Sequence, residues 1–238
     1  MERRGRHRLL GEATWTDLDS SGGDGSGGGG RTLLVVPIGS CEQHGPHLPL
    51  DTDTRIAEAV AAGLAAGNAR TLVSPPLGIT ASGEHRGFPG TLSIGTAVFE
   101  RVLVELVRSA DWSDGVVFVN GHGGNLAPVN GALVTLRDEG RRVMSWWPNL
   151  AAGDAHAGRS ETSLMLAIDP SLVRLEAAVA GRTEPVQQLL DDLRSGGILA
   201  VSPNGVLGDP AGASAAEGSR MLAVLIDDLV RQVTAWST

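Results

Sequence analysis

Leu33-Leu-Val-Val-Pro-Ile38 runs directly into Gly39-Ser-Cys-Glu-Gln-His-Gly-Pro-His-Leu-Pro-Leu-Asp-Thr-Asp53. The first segment is an unbroken apolar run of strand length, the pattern of a strand covered on both faces. The second holds three carboxylates (Glu42, Asp51, Asp53) and two imidazoles (His44, His47) among glycine and proline breakers. A buried strand that empties into a polar loop is where α/β proteins place ligands. Glu42 and His44 are two apart, so in extended backbone their side chains share one side. Carboxylate oxygen and imidazole nitrogen are the ligands of catalytic zinc and similar ions. Three acids beside two histidines repel one another unless a cation lies among them. The plainer alternative is a polar turn with a satisfied histidine.

Strand and helix alternate along the rest of the chain. Asp53–Ala66 reads as a helix with Ile56, Val60 and Leu64 on one face and Asp51 or Thr52 as its cap. Thr71–Pro76 reads as a strand, and Thr96–Ala110 as a helix through Val98, Val102, Leu106 and Val107. Gly115–Asn120 is the clearest buried strand; it ends in Gly121-His-Gly-Gly-Asn125, from which a helix runs to about Asp138. Val143–Trp147 completes a further strand, followed by a helix capped by Ser160 and running to Ile168. A helix over Pro185–Arg194, a short strand over Ile198–Val201 and a closing amphipathic helix over Ser214–Thr234 are expected. This order predicts a mostly parallel sheet with helices on both faces. It forms one domain over 32–238, preceded by a flexible arm over 1–31 that carries a Gly/Ser-rich segment. A G-x-G-x-x-G match at Gly25–Gly30 carries no meaning, because it precedes a strand where the dinucleotide motif follows one.

Composition narrows the function. The chain has 238 residues, a formal charge of −8 and no lysine, and its arginines form no long cluster. Nucleic acid is therefore not expected as a partner. No apolar run reaches the roughly 18–20 residues that span a bilayer, and the basic N-terminus lacks a signal-peptide core. The single cysteine, Cys41, excludes an internal disulfide and fits a reducing, cytoplasmic setting. Cys41 adjoins Glu42, but with no base or cation to activate it, it reads as a small buried residue and not as a nucleophile.

Two further loops carry ionisable groups. His122 sits between glycines just past the clearest strand. An oxyanion-loop role for it lacks the G-x-S-x-G elbow of a serine hydrolase, which favours a metal ligand. Asp154-Ala-His-Ala-Gly-Arg-Ser-Glu-Thr-Ser163 places Glu161 in the first turn of a helix, with His156 in a loop free to swing towards a substrate. Acids are favoured in a first turn by the helix dipole alone, so a structural role for Glu161 competes. Together these groups fit a site for two divalent ions. Asp53 would bridge, with Glu42 and His122 on one ion and His44 and Glu161 on the other. Two ions roughly 3.5–4 Å apart activate water and polarise a carbonyl. That is machinery for amide hydrolysis, with His156 protonating the leaving nitrogen.

The same motifs in the same order resemble the creatininase superfamily of metal-dependent amidohydrolases. The resemblance rests on Gly39–Asp53, Asn120-Gly-His-Gly-Gly-Asn125, His156-Ala-Gly-Arg-Ser-Glu-Thr-Ser163 and Gly205-Val-Leu-Gly-Asp-Pro210, and spans the chain from residue 32. It implies a three-layer α/β/α fold, metal ligands at Glu42, His44, Asp53 and His122, a catalytic histidine at His156, and a homo-oligomer, commonly a hexamer. Zinc, iron(II) and manganese all suit such ligands. Gly124 departs from creatininase proper, which has an acid there for its second metal; Glu161 is expected to take over, and creatinine becomes a doubtful substrate. Ser82-Gly-Glu-His85, Gly153-Asp-Ala-His-Ala-Gly158 and Val201–Pro210 look most like the mycofactocin-system branch. That branch implies a peptidase that trims a modified C-terminal Val-Tyr unit from a small precursor peptide. Creatinine-type hydrolysis, deformylation and a non-catalytic metal-binding protein stand as alternatives.

Overall fold

The computed structural model describes residues 9–18, 32–149 and 154–237. Its core is a parallel four-stranded sheet in the order β2-β1-β3-β4, formed by β1 (Leu33–Ile38), β2 (Thr71–Val73), β3 (Gly115–Asn120) and β4 (Val143–Trp146). In-register pairing runs from Leu33 against Gly115 to Ile38 against Asn120, so the two central strands end level with each other. That shared end is where the polar loops begin. Pro37 sits in a central strand, normally a poor place for a residue without an N–H. The carbonyls of Val35 and Pro37 accept from Ser74 and Leu77 on the β2 side, and β2 has ended at Val73. No ladder donor is missing there.

Alternation along the strands divides the core into two layers. Leu33 and Val35 pack with α2 (Thr52–Gly67), α5 (Arg159–Ile168) and α7 (Ala215–Ser237). Leu34, Val36 and Ile38 pack with α3 (Thr96–Ser109) and α4 (Leu126–Asp138) on the other face. The fold is therefore three-layer α/β/α, as expected.

The local differences from the sequence reading have identifiable causes. The buried face of α3 is Phe99, Leu103, Val104 and Val107, not the stripe through Val98 and Val102, which are exposed. The largest side chain, Phe99, is fully buried and sets the helix rotation. Asp51 occupies the N-cap position of α2 but makes no cap bond, because its carboxylate pairs with Arg55 Nε at 2.8 Å. Ile198–Val201 is not a strand. It belongs to α6 (Val186–Val201), which kinks at Gly197 with φ 70°, and its buried residues are Leu189, Ile198 and Val201.

Part of the expected N-terminal arm is docked. Leu9 bridges Val73 beside β2, Leu10–Glu12 forms a 3-10 turn, and α1 (Trp15–Leu18) follows. Leu10 and Leu18 pack on the α3–α4 layer. Residues 1–8 and 19–31, the rest of that arm, lie outside the described residues.

The α5–α7 contact is close enough to depend on one glycine. A Cβ on Gly218 of α7 would meet the Ser163 carbonyl oxygen of α5 at 1.8 Å. Overpacking of this kind costs about 1–3 kcal/mol. Gly218→Ala should lower the thermal midpoint by roughly 2–12 °C, at about 2–4 °C per kcal/mol for a chain of this size. Differential scanning calorimetry would measure it.

Candidate metal centre

Four of the six histidines converge at the carboxyl ends of β1 and β3. His44 follows β1, His122 follows β3, His156 precedes α5, and His85 comes from a 3-10 turn over Gly83–His85. All four are buried, as are Glu42 and Asp53. Asp53 lies in the first turn of α2, where the helix dipole favours its charge. Ser40 Oγ donates to its Oδ2 at 2.8 Å.

Each imidazole is turned by a bond on its outer nitrogen. His44 Nδ1–H donates to the Glu42 carbonyl at 3.1 Å, which leaves Nε2 facing Asp53 Oδ1 at 3.1 Å. His122 Nε2–H donates to the Ala81 carbonyl at 3.0 Å, so Nδ1 faces both Glu42 Oε1 and Asp53 Oδ2, each at 3.1 Å. His156 Nε2–H donates to the Gln43 carbonyl at 2.8 Å, and its Nδ1 lies 4.0 Å from Glu42 Oε1. Backbone carbonyls holding one nitrogen so that the other points inward are how proteins orient metal-binding histidines.

Glu42 decides how this cluster is read. Its carboxylate is fully buried, and neither oxygen has a hydrogen-bond partner. The imidazole nitrogens approach it without the alignment of hydrogen bonds. A buried carboxylate without a donor is costly unless a cation compensates it. The electrostatics agree. Burial disfavours the charged form of His44, yet the charge of Asp53 and its hydrogen bond raise it to about 10. Burial opposes charge on His122 too, but Glu42 and Asp53 hold it well above its ordinary value. Asp53, despite its burial, is held well below the usual carboxylate range by His44 and His122. The centre demands positive charge. Oxygen–nitrogen sets fit this demand: among the described residues Glu42, His44 and Asp53 group within ligand range, as do His44 with His156 and Glu161, Glu42 with His85 and His156, and Glu42 with Glu84 and His122.

Glu161 is half-buried at the start of α5, and its Oε2 accepts from the Ala157 N–H at 2.6 Å. Burial pushes it up to about 7. His156 is not free to swing. Its backbone forms an antiparallel bridge to Leu207, and its ring packs at a tilt against those of His44 and His85, with centroids 4.4 and 4.6 Å away. Burial, then the charge of His44, lowers it to about 4, so it enters neutral at pH 7. The tip Gly205–Pro210, motif-like but without a role in the sequence, is what fixes His156.

The sequence reading left His85 without a role and singled out neither Glu84 nor Gln43. His85 Nε2 lies 3.2 Å from Glu42 Oε1, and Glu84 Oε1 lies 3.3 Å from His122 Nε2. Gln43 Nε2 reaches His85 Nδ1 at 3.0 Å and the Gly205 carbonyl at 3.0 Å. The Ser82–His85 motif was the only signal for the first two. His47 and Asp51 fall outside the candidate ligand groups. His47 Nε2 bonds Thr162 Oγ1 at 2.9 Å and ties the loop to α5. Cys41 is half-buried, not buried, with Sγ donating to the Gly90 carbonyl at 3.6 Å. Gly153 lies outside the described residues.

Ser160 does not cap α5. Gly158 holds the cap position, and Asp154 reaches in to accept from the Arg159 and Ser160 N–H groups and from Ser160 Oγ. Burial opposes its ionised form, but these bonds lower its pKa. Asp154→Ala should cost about 0.5–2 kcal/mol at pH 7. The carboxylate's contribution is present above the unfolded-state pKa and lost as pH falls through the lower folded-state value. The gap between variant and wild type in urea titrations should therefore close on acidification.

Comparison with known proteins agrees with this fold. Residues 12–233 match the creatininase family model, described as creatinine amidohydrolase. The chain is 49% identical over 211 residues to a mycofactocin precursor peptide peptidase of Mycolicibacterium smegmatis, covering 86% of this chain and 85% of that protein. It is 47% identical over 238 residues to the protein of the same name from Mycobacterium tuberculosis, covering 95% and 91%. A mutant creatininase of the Zn-Zn type superposes with a TM-score of 0.76 at 25% identity, covering 94% of this chain and 96% of that one. Fold, centre and sequence coverage all lead to one assignment: the chain belongs to the creatininase family, whose members hydrolyse carbon–nitrogen bonds.

Proposed function

We propose that the chain is a dinuclear-metal-dependent peptidase that removes the modified C-terminal Val-Tyr unit from a mycofactocin precursor peptide during redox cofactor biosynthesis. The orphaned, buried carboxylate of Glu42 carries the metal part of this reading. The names and high identity of the mycobacterial relatives support the substrate. In this reading Glu42, His122 and Asp53 would hold one ion, and His44, Glu161 and Asp53 would hold the other. Zinc, iron(II) and manganese all suit the donors. When bound, the ions lower the pKa of water and polarise the scissile carbonyl.

The residues of the chain supply the proton transfers. Glu161, with its ligand atom in range of His44 and His156, is placed to draw a proton from the attacking water. His156 enters neutral and can take up a proton for the leaving nitrogen. His44, His156 and Glu161 have ligand atoms within 4.8 Å of one another, close enough for such a relay.

A specific observation favours a peptide over a small cyclic amide. A cavity of about 250 Å³ lined by Asp53, His122, His156 and Glu161 adjoins a groove of about 780 Å³. Asp154, Ala155 and Ser160 line both. Clefts that bury a drug-sized ligand span roughly 300–1,000 Å³. The groove gives an extended chain somewhere to lie. Exposed Val98, Val102, Leu126 and Val134 on the α3–α4 layer are consistent with a homo-oligomer, a hexamer in this reading. None of the helices among the described residues is long and apolar enough to cross a membrane, and the reading places the protein in the cytoplasm.

Incubating the metal-loaded protein with precursor peptide, creatinine and a formamide separates this reading from its rivals. Mass spectrometry should show loss of the Val-Tyr unit; turnover of creatinine or the formamide alone would replace the substrate assignment. Glu42→Ala, Asp53→Ala and His122→Ala should each abolish hydrolysis and lower bound metal, read by elemental analysis. His156→Ala should keep two metals while kcat falls about 100- to 10,000-fold. An unchanged kcat would remove His156 from the reaction.

A further inference from the structure

The 3-10 turn Gly83–His85 sits behind the centre and sends two adjacent side chains to two different ligands. Glu84 Oε1 lies 3.3 Å from His122 Nε2, the nitrogen that faces away from Glu42 and Asp53. His85 Nε2 lies 3.2 Å from Glu42 Oε1. The protons on these groups can be placed. Gly45 N–H donates to Gln43 Oε1 at 2.8 Å, so the Gln43 amide must present its NH2 to the other side. That NH2 donates to the Gly205 carbonyl and to His85 Nδ1. His85 Nδ1 is thus an acceptor, and the proton of this neutral ring lies on Nε2, facing Glu42. A nitrogen carrying its proton has no lone pair for a cation. His122 has given its Nε2–H to the Ala81 carbonyl, with Glu84 alongside.

The surroundings are shaped for this turn. A Cβ on Gly124 would run into Glu84 Oε1, His122 Nε2 and the Ala81 carbonyl oxygen, so only glycine there leaves room for these three groups to meet. From the other side α6 bears on the turn, where a Cβ on Gly197 would meet the Glu84 carbonyl at 2.7 Å. His85 itself is buried.

The geometry points to this turn as an outer clamp on the cation centre: Glu84 polarises His122, whose direction the Ala81 carbonyl sets, and His85 lays its Nε2–H beside the carboxylate of Glu42 outside hydrogen-bond alignment, neither binding the ion. Carboxylate–histidine–metal pairs of this kind fix the ring and raise its basicity. The inference rests on the cation reading given above, but its test needs no substrate.

The test is zinc binding to the full-length protein in competition with a chromophoric chelator, reading both stoichiometry and dissociation constant. Glu84→Ala and His85→Ala should keep the full stoichiometry at saturating zinc while the dissociation constant rises roughly 10- to 100-fold. Glu84→Gln keeps an acceptor oxygen beside His122 and should recover part of the loss. Glu84→Gln, nearly the same size as the native side chain, also serves if Glu84→Ala does not fold. Wild-type affinity in Glu84→Ala and His85→Ala overturns the clamp. So does loss of one equivalent of zinc at saturation, which would make the residue a direct ligand. Wild-type protein that binds neither zinc, iron(II) nor manganese would overturn both this inference and the metal-dependent function, whereas binding by wild type with unchanged variants overturns the clamp alone.

Discussion

A carboxylate removed from water and given no aligned hydrogen bond is the constraint around which this molecule is arranged. Glu42 is fully buried at the end of β1 with both oxygens unsatisfied. Such a group costs several kcal/mol after relaxation unless opposite charge reaches it. His44 and His122 are driven towards the protonated form by Asp53 and Glu42, which shows that the protein scaffold itself calls for positive charge at this point. Divalent ions meet that need with two charges each and, unlike protons, leave the imidazoles neutral for ligation.

The sheet makes the constraint tolerable. β1 and β3 end level, so the loops that follow them arrive side by side, and α2 begins directly behind with Asp53 in its first turn. α5 is pressed onto α7 backbone to backbone at Gly218, which fixes the height at which Glu161 enters. His156 gains its place from the Leu207 bridge rather than from its own helix. Rigid elements hold the groups, and backbone carbonyls rather than long side chains set the direction of each ring. This arrangement loses little conformational entropy when ligand binds.

Polar accounting also separates the inner from the outer histidines. His44, His122 and His156 spend one nitrogen on a backbone carbonyl and aim the other inward. His85 accepts at Nδ1 from Gln43, so it brings a proton instead of a lone pair. Proximity alone would treat all four as equivalent ligands. The hydrogen bonds on their far sides make them different chemical species.

Much of this was legible in the chain. Continuous apolar runs identified β1 and β3, helical spacing identified α2 and α7, and the acid–imidazole motifs singled out Glu42, His44, Asp53, His122, His156 and Glu161, which the fold brings together. Local periodicity and ligand type are properties of short segments, and they survive without knowledge of the fold. Other features depended on contacts distant in sequence. Phe99 rotated the buried face of α3 away from Val98 and Val102, since packing against the sheet outweighs an equally spaced stripe. Ile198–Val201 became helix because α6 bends at Gly197 to lie against the Gly83–His85 turn. Asp154 capped α5 from outside the helix, where local spacing favoured Ser160. Glu84 and His85 could not be assigned from sequence, because their partners lie on the β3 and β1 loops. The sequence by itself determined which donors this protein has and which strands present them. Only the tertiary structure decided which nitrogen of each ring faces the centre, because that depends on backbone carbonyls brought there by other parts of the chain.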